Sequence, residues 1–116
     1  MKPELEQQLK DKYPGLYNDT LWGFECGDGW YKLIDELSSC IVSYKQDVIA
    51  DQVKEKFGQL RFYTNYSDRY IDGMITLAEH MSARICEQCG SEGKMRGGGW
   101  IVTLCDKHSK ELDDES

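Results

Sequence analysis

The chain has 116 residues, enough for one hydrophobic core but not two, and Leu, Ile, Val and Phe supply about a fifth of it, just above the composition at which chains stay disordered. A formal net charge of −7 and a pI near 4.8 oppose general affinity for phosphate backbones, which rests on Lys and Arg releasing counterions. No apolar run approaches the roughly 20 residues of a membrane span and the first 30 residues are charged rather than signal-like, so a soluble, cytoplasmic protein without membrane contact is expected.

Pro3 to Lys12 places Leu5 and Leu9 one turn apart among charged residues, with Pro3 suited to a first helical turn, which predicts a short helix stopped by Pro14-Gly15. From Leu16 to Gly29 the chain is rich in aromatics and glycine without periodicity and reads as an ordered loop. Trp30, Leu33, Ile34, Leu37, Ile41 and Tyr44 then form a helical stripe, with Asp28 placed to cap its start and Cys40 on the same apolar face. Between Asp51 and Tyr66, apolar and polar residues alternate on either side of Gly58-Gln59, which favours a β-hairpin, although Gln52 to Phe57 contains enough Lys and Glu to pass for a helix end. Ser67 or Asp68 can cap a second long helix carrying Ile71, Ile75, Ala78 and Ile85, with Gly73 as a local weakness. Lys94–Arg96 and Trp100–Leu104 flank three glycines as two short strands would, and Cys105 to Leu112 can form a short helix before an acidic tail, 113–116, expected to fray.

Five cysteines, three of them in the last third of the chain, make a poor disulfide framework. Cys86-Glu87-Gln88-Cys89 is followed, after fifteen intervening residues, by Cys105-Asp106-Lys107-His108. This C-x2-C-x15-C-x2-H spacing suits one tetrahedral zinc ion, because a two-residue spacer lets one tight turn aim two ligands at one point. Gly90 directly after the first pair can take the φ > 0 conformation that closes a knuckle. Knuckle, hairpin and helix together predict a treble-clef type of zinc finger. With four protein ligands the site is closed, so the zinc is expected to be structural, stapling a weak core. Three thiolates and one dication leave the zinc-loaded chain at about −8, still acidic. His80 is the spare histidine.

The segments Phe24 to Ile34, Val53 to Tyr63 and Ile85 to His108 resemble small uncharacterised phage and prophage accessory proteins, a likeness covering most of residues 24–108. Those proteins carry the same paired zinc ligands and look like accessory products rather than virion components or replication enzymes. The resemblance implies a protein that binds a host factor, such as a defence protein, and brings no catalytic residue with it.

The remaining features each have a bland competing reading. Cys26 lies among Glu25, Asp28 and Trp30, where neighbouring carboxylates raise rather than lower a thiol pKa, so an inert thiol is expected rather than a nucleophile assisted by His80. Gly27-Asp28-Gly29 reads as a cap and tight turn, since Asp28 would repel an anion there. Gly97–Gly99 lack the Gly-Lys-Ser/Thr sequence of a phosphate loop and read as a hairpin turn. Lys54, Lys56, Arg61 and Tyr63 give the first hairpin a locally basic, aromatic face that can stack and pair a nucleotide, or can simply be a solvated strand face. Trp22, Trp30 and Trp100 are too many for so small a domain to leave all exposed; at least one belongs in the core, and an exposed one is a natural binding anchor.

These readings converge on an α+β fold spanning 1–116 as a single domain: two main helices and a hairpin, with a zinc-binding subregion at 85–112 continuous with the core. The expected function is non-enzymatic: binding and modulating a basic surface on a host protein through Trp22, Glu25, Asp28, Trp30 or Trp100. The competing class is a nucleotide or nucleic-acid binding module on the 54–63 hairpin face. No heptad or other symmetry signal fixes an oligomeric state.

Overall fold

Four α-helices, a three-stranded sheet and a separate two-stranded hairpin make up the computed structural model, which describes residues 1–18 and 23–115. Helix α1 (Pro3–Lys12) begins on its proline, carries Glu4 and Glu6 in the first turn and Lys10 and Lys12 in the last, and so matches the helix dipole at both ends. It buries Leu9, and Lys12 reaches Asp35 of helix α2 (Tyr31–Tyr44) at 2.8 Å. Helix α2 turns Leu33, Ile34, Leu37 and Ile41 inward. Ser38 is buried among them, its hydroxyl bonded to the Ile34 carbonyl and to Tyr17, so it adds no unmet polar group.

Strands β2 (Ala50–Lys56) and β3 (Gln59–Thr64) pair antiparallel around a two-residue turn in which both Phe57 (φ 55°) and Gly58 (φ 80°) have positive φ. That is the primed-turn geometry that matches the right-handed twist of the flanking strands. Helix α3 (Arg69–Ser82) starts at Asp68, whose carboxylate accepts the Tyr70 and Ile71 amides, a standard N-cap. It covers the outer edge of β3, where the Leu60 amide donates to the buried Ser82 hydroxyl at 2.8 Å instead of being left open for another strand. Strands β4 (Lys94–Arg96) and β5 (Val102–Leu104) form the second hairpin, and helix α4 (Asp106–Glu115) follows it.

Long-range order alters several local expectations. The loop read over 16–29 contains strand β1 (Phe24–Glu25), which joins the sheet parallel to β2 with Phe24 opposite Val53, and a 3-10 turn over Asp28–Trp30. Asp28 does not cap α2; its carboxylate instead accepts the Lys2 amide at 2.8 Å. Helix α3 ends at Ser82, short of Ile85, and α4 continues to Glu115, into the acidic tail. Cys40 is not in the core: it is exposed, opening onto a shallow apolar groove between α2 and α3, and Tyr44 is also exposed.

Among the described residues, no helix is long and apolar enough to cross a membrane.

Candidate metal centre

Immediately beyond α3 the chain enters a knuckle. The Cys86 amide donates to the Ser91 carbonyl at 2.7 Å, and the Gly90 amide donates back to the Cys86 carbonyl at 2.9 Å. Gly90 closes this turn at φ 83°, a conformation that a Cβ would disfavour. The turn brings the Cys86 and Cys89 sulfurs to one point, and Cys105 with the first turn of α4 supplies the opposite side through its own sulfur and His108 Nδ1.

The four donor atoms lie within 4.8 Å of one another. Cys89 Sγ and Cys105 Sγ are 3.8 Å apart, and His108 Nδ1 lies 3.6 Å from Cys86 Sγ and 3.2 Å from Cys105 Sγ. A tetrahedral ion with sulfur at about 2.3 Å and nitrogen at about 2.0–2.1 Å requires S···S edges of about 3.8 Å and S···N edges of about 3.5 Å. A disulfide would instead bring two sulfurs to about 2.05 Å. The donor set therefore fits a metal ion, and all five cysteines are free.

Electrostatics agree with that fit. The hydroxyl and amide of Ser91 hold the Cys89 thiol down to about 6. The Cys105 thiol is pushed up: the His108 amide works to lower it, but burial and the neighbouring Cys86 and Cys89 thiols prevail. Three thiolates packed this closely need a cation to ionise together. Outside the donor set, His108 Nε2 lies 3.8 Å from Glu111, and Arg96 ties β4 to the start of α4 through Asp106 at 2.6 Å and the Leu104 carbonyl at 3.0 Å. Cys86 is fully buried, Cys105 and His108 half-buried, and Cys89 exposed. The spare histidine, His80, is exposed on α3 and takes no part.

No protein-family model, curated protein or solved structure matches this chain.

The centre is fixed to the rest of the molecule by a contact that local patterning did not reveal. Gly27 and Gly29 lie directly against the knuckle backbone: a Cβ on Gly29 would sit 2.0 Å from the Cys86 carbonyl oxygen, and one on Gly27 2.3 Å from that of Glu87. The Gly29 amide donates to the Glu87 carbonyl at 2.7 Å, and the Gly27 amide to the Glu87 carboxylate at 2.8 Å. Beside them the Trp30 indole donates to the Ile85 carbonyl at 2.8 Å. On the other side, the Thr103 hydroxyl donates to the Gly58 carbonyl, seating β5 on the turn of the first hairpin.

Of the residues expected to anchor a partner, Trp30 is a correction. It is fully buried, because its ring fills the space beneath the knuckle and its one polar atom is satisfied there. Asp28 is half-buried, and its carboxylate accepts the Lys2 amide at 2.8 Å. Glu25 is exposed, and Trp100 is 79% exposed. Trp22 lies outside the described residues. Cys26 is buried, and that burial, reinforced by Glu87, pushes its thiol up to about 12.

The strand register places Lys54 opposite Arg61, Gln52 opposite Tyr63 and Lys56 opposite Gln59, so the four basic and aromatic residues share one face of the hairpin. Arg61 is half-buried there and lies 3.8 Å from Glu79 of α3, which offsets part of the face's positive charge.

Proposed function

We propose that Cys86, Cys89, Cys105 and His108 hold one structural zinc ion in a treble-clef-like unit, and that the protein is a non-enzymatic phage accessory protein of the host cytoplasm that binds and modulates a host protein. The metal assignment is supported by the donor set: three sulfurs and one imidazole nitrogen gathered within 4.8 Å of one another are the borderline-soft set that zinc prefers. Four protein ligands complete that shell, so the ion would stiffen the 86–115 segment rather than activate water. The binding role is supported by Trp100, a large aromatic held almost wholly in solvent beside the metal centre, together with exposed Glu25 and an acidic chain suited to a basic partner surface.

Native mass spectrometry of the untagged protein isolated from its bacterial host at low salt tests this reading. One zinc per chain and a co-purifying host protein that is lost from Trp100→Ala are expected. A folded protein without zinc overturns the metal assignment, and a partner retained equally by Trp100→Ala overturns the anchor.

A second reading, nucleotide or nucleic-acid binding, is favoured by the shared face of Lys54, Lys56, Arg61 and Tyr63. It predicts saturable binding to oligonucleotides or nucleotides that weakens with salt, and it falls if none bind at low salt.

A further inference from the structure

A cleft of about 530 Å³ opens beside the metal centre, with one wall formed by Trp100, Val102 and Leu104 and another by Leu112 of α4. The knuckle lines it too, through Glu87 and Gln88, with Gly27 bonded to the Glu87 carboxylate. The strand alternation explains the wall. Thr103 points to the other side of β5, into the first hairpin, so Val102 and Leu104 must face the cleft. Along this lining there is one ionisable group, the Glu87 carboxylate, and no cation. Antiparallel pairing puts Lys94 and Arg96 on the hairpin face that Leu104 and Val102 share; Arg96 is committed to Asp106 and to the Leu104 carbonyl, and the charge of Lys94 acts on the same Asp106 carboxylate.

A cleft lined by an indole, three aliphatic side chains and one carboxylate matches a long aliphatic side chain that ends in a positive charge. The methylenes of such a chain lie against apolar surface, its cation is attracted by the ring face, and its charge meets the acid. We propose that this cleft binds a lysine or arginine side chain presented by a basic segment of a partner protein, with Trp100 stacking on the chain and Glu87 receiving the cationic head. The proposal rests on the protein-binding reading above and names the chemistry that its partner offers. One Glu87 oxygen is occupied by the Gly27 amide, so the carboxylate is already oriented before a ligand arrives.

The test is titration of the zinc-loaded, 15N-labelled protein with the acetylated peptide amides Gly-Gly-Lys-Gly-Gly and Gly-Gly-Arg-Gly-Gly, with the norleucine peptide as a neutral isostere. Saturable shifts are expected for the Gly27, Glu87 and Gln88 amides and the Trp100 indole with at least one cationic peptide, and none with norleucine. Trp100→Ala should abolish saturation. Glu87→Gln, which keeps an oxygen to accept the Gly27 amide, should weaken binding about tenfold, as expected for loss of a charge-assisted contact. For both variants an otherwise superimposable amide spectrum and one bound zinc establish that the fold is intact. Equal binding of the norleucine peptide, or no movement of these four signals, overturns the cleft assignment. A host protein that still binds in a Trp100-dependent way after that result leaves the broader binding reading standing, so the two fail separately.

Discussion

The join between the knuckle and the Gly27–Trp30 turn can be broken with one methyl group. In Gly29→Ala the new Cβ would start 2.0 Å from the Cys86 carbonyl oxygen and 2.6 Å from the Glu87 carbonyl carbon, both backbone atoms that no rotamer change can move. The two segments must separate by more than an ångström, which costs about 1–3 kcal/mol as overpacking. Separation also removes the Gly29–Glu87 backbone bond and stretches the one between Trp30 and Ile85, each contributing about 1 kcal/mol and more where a buried group is left unmet. The expected loss is about 3–5 kcal/mol, a large part of the roughly 5–15 kcal/mol by which small domains are stable. Urea unfolding of the zinc-loaded protein, followed by far-ultraviolet circular dichroism, gives the free energy by linear extrapolation. Gly73→Ala is the internal control: nothing lies within 4 Å of a Cβ there, and a helical glycine replaced by alanine should gain about 0.5–1 kcal/mol. A Gly29→Ala protein within 1 kcal/mol of the natural one by this measurement would refute the view that backbone contact, rather than turn conformation, requires glycine at this position.

Zinc removal by a chelator should lower the melting temperature and disorder residues 86–115, reversibly on adding zinc, and Cys86→Ser should reproduce the effect; unchanged melting after verified metal loss would refute a structural role. In the zinc-loaded protein a disulfide exchange reagent at neutral pH should react quickly with Cys40, which is exposed, and slowly with Cys26, whose thiol burial pushes up to about 12; mass mapping that finds Cys26 labelled first would contradict the burial. Asp68→Ala should destabilise the protein near neutrality by removing the α3 cap. Hydrogen bonds from Tyr44 and from the Ile71 amide hold the Asp68 carboxyl below its ordinary value, so its contribution is complete above the unfolded pKa of about 3.9 and is lost as pH falls through the lower folded one. The difference in melting temperature between the two proteins should therefore shrink in acid, and a difference independent of pH would refute the assignment.

The cluster of Cys86, Cys89, Cys105 and His108 was legible because its message is local. A two-residue spacer leaves few backbone paths between two ligands, and Gly90 at positive φ completes the one used here. The same holds for the helices: Pro3 and Asp68 mark helix starts, and the Leu33, Ile34, Leu37 and Ile41 stripe marks a buried face, through contacts within one or two turns. Alternation likewise placed Arg61 and Tyr63 on one side of β3 and Leu60 and Phe62 on the other. Cys40 shows where periodicity stops being informative. It shares the helix with that stripe, but α3 covers only part of the apolar arc, and the uncovered part is a groove.

What only the tertiary structure decided depends on residues far apart in the chain. Trp30 and Trp100 are equivalent as sequence symbols, yet one is sealed beneath a carbonyl 55 residues away and the other stands in solvent. Gly27 and Gly29 resemble an ordinary turn until Glu87 arrives against them, and Asp28 resembles a helix cap until the Lys2 amide takes its carboxylate. Short-range sterics and hydrogen bonding write the elements and the ligand spacing into the sequence. Which side chains end up inside, and which glycines are irreplaceable, is set by how those elements close on one another.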